Sequence, residues 1–368
     1  MSFVVGCGEN VIIASGSIIA NYEHSTGKMN TEFFKWESVE EKNIVQTTGE
    51  EEDEEKKPQK KAVDDIVVLC ISTSGSPNNL LAIGTNEKLL HILKISDDGL
   101  TAKHIIAGIV PKAPTSCVFD KENAHVIIGD RAGEVHKMEI ATGKVVEIAG
   151  AISMILDVGL STDGKHLILA DRDEKIRILR YPESFVIENI CLGHTEYVKS
   201  IAFQSNGTIW SGGGDGHLRH WNMTTVKPLN SKQIFEEKNP LAKVLTTPDE
   251  KHVIVTVENS AKFCIVNTET YDVSVDSVSD EPIIDIFSSP KYLLILTKTA
   301  LVLYDPNNYK KEVALDGDLA KSVAETRPAL GNLFKNVTYN NQEEYEKRKS
   351  EKFAKVEEKR ALKRKAAQ

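Results

Sequence analysis

The sequence predicts an all-β protein folded as a seven-bladed β-propeller, and three observations predict this fold class. Short aliphatic runs bounded by Gly, Asn, Asp or Ser recur along the chain as far as about residue 320. One repeat unit is complete, and six degenerate copies align with it at a spacing of about 40 residues. Helical spacing of apolar residues is rare before the C-terminal region, so the repeats consist of strands.

The complete unit spans residues 192–222. It opens with Gly-His at 193–194, has an Asp-Gly hairpin turn at 215–216, and ends with Trp-Asn at 221–222. This is the pattern of a WD40 repeat, with Asn in place of the usual final Asp. Buried polar groups need hydrogen-bond partners. We therefore expect four side chains of this unit to form a hydrogen-bonded tetrad: His194, Ser211, Asp215 and Trp221. In this tetrad the Asp215 carboxylate orients the His194 imidazole.

The other copies are aligned on the turn position that Asp215 occupies, with equivalents at Ser15, Asn86, Ala132, Asp173, Ser260 and Lys298. From Asn86 onward the intervals are 46, 41, 42, 45 and 38 residues, close to one blade each. The first interval is 71 residues, which indicates an insertion, and an acidic run lies at 50–55. Seven turns predict seven four-stranded blades. We expect the strand containing residues 3–5 to close the ring by completing the last blade.

These features divide the chain into a propeller over 1–325, with a disordered acidic insertion at 30–61, and a C-terminal extension over 326–368. The apolar stretch at 327–334 is expected to pack on the propeller or on a partner. Between 343 and 365 there are ten Lys or Arg and six Asp or Glu, which predicts a charged, partly helical tail. The basic end of the tail comprises Lys359, Arg360, Lys363, Arg364 and Lys365. These residues suit contacts with RNA phosphates or a nuclear localisation signal. The alternative is a solvated tail without either role.

The net charge, the cysteines and the length of the apolar stretches indicate which classes of protein the chain can belong to. The net charge of −9 argues against a surface that is basic all over, as in many dedicated nucleic-acid binders. The five cysteines are scattered and lie beside aliphatic residues, so we expect buried free thiols in a reducing, intracellular compartment: Cys7, Cys70, Cys117, Cys191 and Cys264. No apolar stretch is long enough to span a membrane, and we expect no membrane contact.

The sequence lacks the common signatures of catalysis. The glycine-rich run at 212–216 precedes a strand rather than a helix, so a phosphate-binding loop is disfavoured. The histidines do not show metal-ligand spacing, and neither a G-x-S-x-G elbow nor a methyl-donor fingerprint is present. We therefore expect a binding protein with no catalytic residues, no metal and no cofactor of its own.

Residues 170–177, A-D-R-D-E-K-I-R, form the most unusual segment, because six of eight are charged across a predicted hairpin turn. One interpretation is a repeat turn in which Asp173 occupies the tetrad position and the other charges face water. Another is a docking edge, since interleaved charges confer specificity and fast encounter. A metal site built from its acidic residues is disfavoured, because Arg172 and Lys175 lie among them.

This segment resembles the A-D-R-D-E-K-I-R motif of the WD-repeat subunit of tRNA (guanine-N7-)-methyltransferase. Residues 155–158 and 192–198 are also similar to that family, and the strong match covers about 152–222. The resemblance implies a heterodimer in which a separate Rossmann-type subunit binds S-adenosylmethionine and methylates N7 of a guanosine in the tRNA variable loop. It implies that this chain is non-catalytic, stabilises the catalytic subunit and helps to hold tRNA. With the basic end of the tail as a localisation signal, we expect the protein in the nucleus, with the cytoplasm as a second location.

The resemblance also assigns residues to the interface. We expect Asp173 to hold the turn. Four other side chains are expected to pair with opposite charges on the catalytic subunit: Arg172, Glu174, Lys175 and Arg177. Reversing one such charge is expected to cost about 2–5 kcal/mol of binding free energy. Two other functions stay open on residues alone. One is a general WD-repeat scaffold that recruits peptides and has no RNA role, and the other is a propeller enzyme, which lacks a candidate nucleophile.

Overall fold

The computed structural model describes residues 1–7, 10–23, 26–45, 63–75, 77–235, 239–305, 309–315, 317–326, 333–334 and 345–352. Within these ranges the chain forms seven sheets, each with four consecutive antiparallel strands, and one of the seven has a fifth, parallel strand at its edge. The first strands of neighbouring sheets contact one another around a central channel. The fold is therefore a seven-bladed β-propeller, which confirms the predicted class.

The strands are named β1 to β29 in chain order and are grouped by blade. Blade 1 comprises β1 Ser2–Cys7, β2 Asn10–Ser15, β3 Ile18–Glu23 and β4 Lys28–Asn30. Blade 2 comprises β6 Val68–Thr73, β7 Leu80–Thr85, β8 Leu89–Ile95 and β9 Ala102–Ile109, with β5 Ile44–Val45 added at its edge. Blade 3 comprises β10 Pro114–Phe119, β11 His125–Asp130, β12 Glu134–Glu139 and β13 Val145–Gly150.

The remaining blades have the same layout. Blade 4 comprises β14 Ile155–Leu160, β15 His166–Asp171, β16 Ile176–Arg180 and β17 Ile187–Cys191. Blade 5 comprises β18 Val198–Phe203, β19 Thr208–Gly213, β20 His217–Asn222 and β21 Pro228–Gln233. Blade 6 comprises β22 Leu241–Thr246, β23 His252–Val257, β24 Lys262–Asn267 and β25 Val273–Ser277. Blade 7 comprises β26 Asp285–Ser288, β27 Leu293–Leu296, β28 Ala300–Asp305 and β29 Tyr309–Ala314.

Each blade buries both faces of its sheet, which explains why its inner strands are continuously apolar. In β15, Leu167 and Leu169 pack towards blade 3, whereas Ile168 and Ala170 pack towards blade 5. Successive side chains of a strand point to opposite faces, so an uninterrupted apolar run is needed where both faces are covered. Seven apolar clusters of this kind, one between each pair of neighbouring blades, form a ring-shaped core.

The aligned turn positions lie where the repeat predicts. Six of them fall between the second and third strands of a blade, and Ser15 is the last residue of β2. The period read from the chain is therefore confirmed.

The ring does not close as predicted. Residues 3–5 belong to β1, which pairs with β2 as the first strand of blade 1, and blade 7 is complete without them. Blades 1 and 7 are joined instead by a hydrogen bond from the Val4 backbone N–H to the Asp285 side chain, with Val4 N and Asp285 Oδ2 2.9 Å apart. Helix α1, Gly317–Ala324, then covers the junction by burying Leu319 and Val323 against both blades.

The insertion is also shorter than predicted. Residue 30 ends β4, and the next segment packs its aromatic side chains, Phe33, Phe34 and Trp36, into the cluster between blades 1 and 2. It continues through two 3-10 turns, Trp36–Ser38 and Glu41–Asn43, into β5, which pairs in parallel with β9. The prediction of disorder is wrong for residues 30–45, because burial of three aromatic rings fixes them. Residues 46–62, with the acidic run, lie outside the described residues.

Two further predictions concern the cysteines and membrane-spanning segments. All five cysteines are buried and free, as predicted. Among the described residues, the helices are too short or too polar to cross a membrane.

Candidate functional site

The complete repeat in blade 5 builds one buried hydrogen-bonded chain. Trp221 Nε1 donates to Ser211 Oγ at 2.8 Å, and that hydroxyl lies 2.7 Å from His194 Nε2. His194 Nδ1 lies 3.1 Å from both oxygens of Asp215. The structure therefore brings all four predicted tetrad side chains together, and Arg219 Nη1 joins them at 2.6 Å from Asp215 Oδ2.

Electrostatics fixes the protonation of this network. Burial lowers the pKa of His194, so its imidazole is neutral at pH 7. Burial also opposes ionisation of Asp215, but His194 and Arg219 outweigh it and hold the pKa of that carboxyl below its usual range. The result is an anion that accepts hydrogen bonds from the imidazole and the guanidinium. The charges of Asp215 and Arg219 thus balance within the buried network, and the tetrad has a structural role.

A basic or imidazole side chain recurs at one register position of the third strand in four blades. The position pairs with Ile83 in blade 2, Ile128 in blade 3, Leu169 in blade 4 and Ser211 in blade 5. Its occupants are all buried: His91, His136, Arg177 and Arg219. Arg177 therefore occupies an inward position that the fold repeats, not one peculiar to an exposed edge.

In blade 4 this position is neutralised by Asp171. Arg177 Nη1 forms an ion pair with Asp171 Oδ2, and both side chains are buried. Asp171 Oδ1 also accepts the backbone N–H of Lys175 at 3.0 Å, which closes the hairpin turn. The expectation that Asp173 holds this turn is wrong, because the buried carboxylate that spans it belongs to Asp171.

Blade 5 shows why the carboxylate can move between two positions. Gly213 stands where Asp171 stands in blade 4, at the end of the second strand. A Cβ atom on Gly213 would lie 1.9 Å from the Tyr197 carbonyl oxygen, so an aspartate does not fit there. The carboxylate of blade 5 comes from Asp215, two residues later, and reaches the same basic position on the third strand.

Blade 3 repeats the arrangement of blade 4 with a histidine. Asp130 Oδ1 accepts three backbone N–H groups of the turn, and its Oδ2 lies 3.3 Å from His136 Nε2. With Glu134 these residues are the one group of possible metal ligands that lie close together among the described residues. Asp130 accepts the backbone N–H four residues further on, as Asp171 does, so closure of the turn accounts for the position of this carboxylate.

The other predicted partner-binding residues have diverse environments. Glu174 is buried and takes the left-handed conformation, with a φ of 68°, at the place that Gly216 occupies in blade 5. Lys175 is half-buried, and its ammonium contacts the Asp173 backbone carbonyl at 3.1 Å. Arg172 points its guanidinium at two carbonyl oxygens of the C-terminal extension, those of Leu333 and Phe334.

Within the chain alone, the four residues predicted to bind the partner differ in how far their charges are already engaged. Arg177 and Arg172 are engaged within the chain, and Glu174 is buried, so three of the four residues do not present a free charge to a partner. Lys175 is different, because a backbone carbonyl does not neutralise its charge. Ile152, which the prediction missed, is 97% exposed next to this hairpin, and it lies two residues before Met154, whose carbonyl accepts the Arg172 backbone N–H.

The C-terminal extension is described only in part. Leu333 and Phe334 pack on Leu156 and Tyr197, which confirms for these two residues that the apolar stretch covers the propeller. A helical segment spans 345–352. The five predicted RNA-binding residues, from Lys359 to Lys365, lie outside the described residues.

The assignment of the blade 4 turn can be tested by removing one carboxylate charge at a time. Asp171→Asn leaves the buried Arg177 guanidinium uncompensated, so we expect it to lower the free energy of unfolding by about 3–5 kcal/mol. Asp173→Asn, the matched control in the same turn, is expected to cost about 1 kcal/mol or less. Urea unfolding of both variants measures the difference. An equal or larger loss of unfolding free energy for Asp173→Asn would show that Asp173 holds the turn.

The family model described as the tRNA methyltransferase TRM82 WD40 domain matches residues 20–149 and 144–275, which together include blades 2 to 5. It therefore covers the hairpin that contains Asp171 and Arg177.

Individual relatives agree with this match. A Caenorhabditis elegans protein named tRNA (guanine-N(7)-)-methyltransferase non-catalytic subunit is 40% identical over 98% of this chain and 95% of its own length. A protein of the same name from Dictyostelium discoideum is 30% identical over 67% of this chain and 54% of its own length. A Danio rerio protein of that name is 34% identical over 39% of this chain and 38% of its own length. The chain belongs to the family of WD-repeat non-catalytic subunits of tRNA (guanine-N(7)-)-methyltransferase.

Proposed function

We propose that this chain is the non-catalytic subunit of a tRNA guanine-N7 methyltransferase. It binds the catalytic subunit, stabilises its competent form and helps to hold tRNA while N7-methylguanosine forms in the variable loop. The observation that carries the proposal is 40% identity to a relative of that name along nearly the whole chain. S-adenosylmethionine and the methyl-transfer step belong to the partner.

The hairpin of blade 4 is suited to docking because it is held from within. The Asp171–Arg177 ion pair and two hydrogen bonds between residues 171 and 175 fix its shape. A surface that is already ordered loses little conformational entropy when a partner binds. Lys175 is half-buried in this turn and its ammonium contacts a backbone carbonyl there, and we propose that it pairs with a carboxylate of the catalytic subunit.

Ile152 is an exposed apolar side chain in the loop that hydrogen-bonds to this hairpin through Met154. Single exposed apolar side chains are common, but Ile152 is 97% exposed and lies in the loop that accepts a hydrogen bond from the hairpin. Burial of such an apolar side chain by a partner removes water from the contact and strengthens a nearby ion pair. We propose that Ile152 and Lys175 together form the centre of the partner-binding surface.

The alternative of a general peptide scaffold has less support. Such propellers recruit peptides at the mouth of the central channel. Here Leu333 lies at that mouth beside Arg172 and Met154, so a segment of the chain itself occupies part of it. The contacts favour a partner that binds at blade 4, away from the channel axis.

Substitutions on this surface test the interface. We expect Lys175→Glu to weaken association with the catalytic subunit at least about 30-fold, because the reversal breaks a desolvated ion pair. We expect Ile152→Asp to weaken it about tenfold through loss of apolar burial. Titration calorimetry or copurification of the two subunits gives the affinities, and methyl transfer to tRNA is measured beside it.

The matched control is Lys298→Glu, an exposed lysine in the equivalent turn of blade 7. It adds the same charge to the same kind of turn and is expected to bind normally. If all three variants bind like the unmodified chain, the surface at blade 4 is not the interface. If the unmodified chain itself fails to associate, the methyltransferase function is excluded.

We also propose that the basic end of the tail contacts the tRNA backbone and directs the protein to the nucleus, with the cytoplasm as a second location. Both roles need clustered positive charge rather than a shaped pocket. The charges concerned are Lys359, Arg360, Lys363, Arg364 and Lys365. The net charge of −9 makes this end of the chain stand out as a basic site on an acidic protein.

Replacing these five residues with Gln tests the tail. We expect the complex to bind tRNA more weakly, with a smaller dependence of the affinity on salt because fewer counterions are released. Association of the two subunits should not change, and a fluorescent fusion of the variant should lose nuclear enrichment. Unchanged tRNA affinity and salt dependence would exclude the RNA contact, and unchanged nuclear enrichment would exclude the localisation signal.

A further inference from the structure

The C-terminal extension is held against the propeller at two separated places. At the junction of blades 1 and 7, the Thr326 hydroxyl contacts the Ser2 hydroxyl. At blades 4 and 5, Leu333 and Phe334 lie against the hairpin and its neighbour. Thr326 and Leu333 both line the central channel. Thr326 and Leu333, the described residues on either side of positions 327–332, thus lie at different blades of the ring.

The second contact is made by the guanidinium of Arg172. Its Nε donates to the Leu333 carbonyl oxygen at 2.9 Å, and its Nη2 donates to the Phe334 carbonyl oxygen at 3.3 Å. The planar fork of an arginine suits two acceptors in this arrangement, whereas a lysine ammonium offers a single point charge. Two consecutive carbonyls are therefore bound by one side chain.

An aromatic contact supports the same two residues. The Phe334 ring meets the Tyr197 ring edge to face, with centroids 5.1 Å apart and an interplanar angle of 71°. Tyr197 is buried, and together with Leu156 it forms the floor on which Leu333 and Phe334 rest. Edge-to-face pairs of this kind contribute beyond their buried area.

Blade 3 provides a comparison within the same chain. Arg131 follows Asp130 as Arg172 follows Asp171, so the two arginines occupy equivalent positions after the second strand. Arg131 is exposed, whereas Arg172 is half-buried under the extension. An arginine after the second strand is therefore not sufficient for binding backbone carbonyl groups. Blade 4 differs from blade 3 because the C-terminal extension and Tyr197 lie beside its arginine.

We propose that Arg172 is a positioning residue for the C-terminal extension: with Tyr197 it forms a clasp that fixes Leu333 and Phe334 at blades 4 and 5. The tail then begins beside the hairpin that carries Lys175 instead of at the opposite side of the ring. Given the proposed function, on which this consequence rests, the clasp raises the effective concentration of the basic tail next to the catalytic subunit and its tRNA. Arg172 contributes to methylation through the tail and not by pairing with the partner.

The clasp is tested first on the full-length chain alone. Lys335 follows Phe334 directly, so tryptic cleavage after Lys335 reports whether the clasp is closed. We expect Arg172→Ala and Phe334→Ala each to speed this cleavage about tenfold, since opening of the contact precedes proteolysis. Arg172→Lys should show an intermediate rate. Arg131→Ala is the matched control and should cleave at the rate of the unmodified chain.

The double variant and the complex separate this role from direct pairing. Because both residues act through one contact, Arg172→Ala with Phe334→Ala should cleave no faster than either single variant. In the complex, both single variants should raise the KM for tRNA a few-fold, leave kcat unchanged and preserve association of the subunits. Cleavage that is unchanged in Arg172→Ala overturns the clasp. So does loss of association in Arg172→Ala but not in Phe334→Ala, which would assign Arg172 to the partner.

Failure of the proposed function gives a different result. If the chain does not associate with the catalytic subunit but the cleavage rates change as expected, the clasp stands and the methyltransferase role falls.

Discussion

The structure depends on one constraint: every blade buries both faces of its sheet against its neighbours. Apolar runs such as that of β15 satisfy it through clusters that alternate between the two adjacent blades. The same constraint makes the few polar side chains inside the ring expensive unless they are paired. Blades 3, 4 and 5 meet this cost with a carboxylate near the end of the second strand and a basic or imidazole group on the third. The polar pairs are thus a product of the packing, and they stiffen the turns above them.

That stiffening connects the fold to binding. In blade 4 the internal pair uses two charges of the motif, and the buried Glu174 uses a third position, so most of the charged segment serves the shape of the turn. We propose that Lys175, whose ammonium contacts a backbone carbonyl of its own turn, and the exposed Ile152 are left for a partner. Arg172 binds the carbonyl groups of Leu333 and Phe334 in the C-terminal extension. In this proposal one hairpin serves both partner binding and the placement of the extension.

Much of this fold is predictable from the sequence, because repeats are local patterns. The period, the seven blades and the tetrad of blade 5 follow from spacing and residue type alone. The ring closure does not, since pairing of residues 3–5 depends on contacts between distant parts of the chain. Nor does the choice between Asp171 and Asp173, because adjacent turn positions differ in whether the backbone leaves room for a Cβ atom, as Gly213 shows. One signal was available: His91, His136, Arg177 and Arg219 recur at intervals of 45, 41 and 42 residues, which marks Arg177 as a repeat position.

We expect this chain to enable a reaction that it does not itself catalyse. Methyl transfer from S-adenosylmethionine to tRNA by a fixed amount of the catalytic subunit, measured as this chain is added, tests that expectation. The rate should rise and saturate at one chain per catalytic subunit, and this chain alone should neither bind the methyl donor nor methylate tRNA. A rate that is independent of the added chain, or methyl transfer by this chain alone, would contradict this expectation.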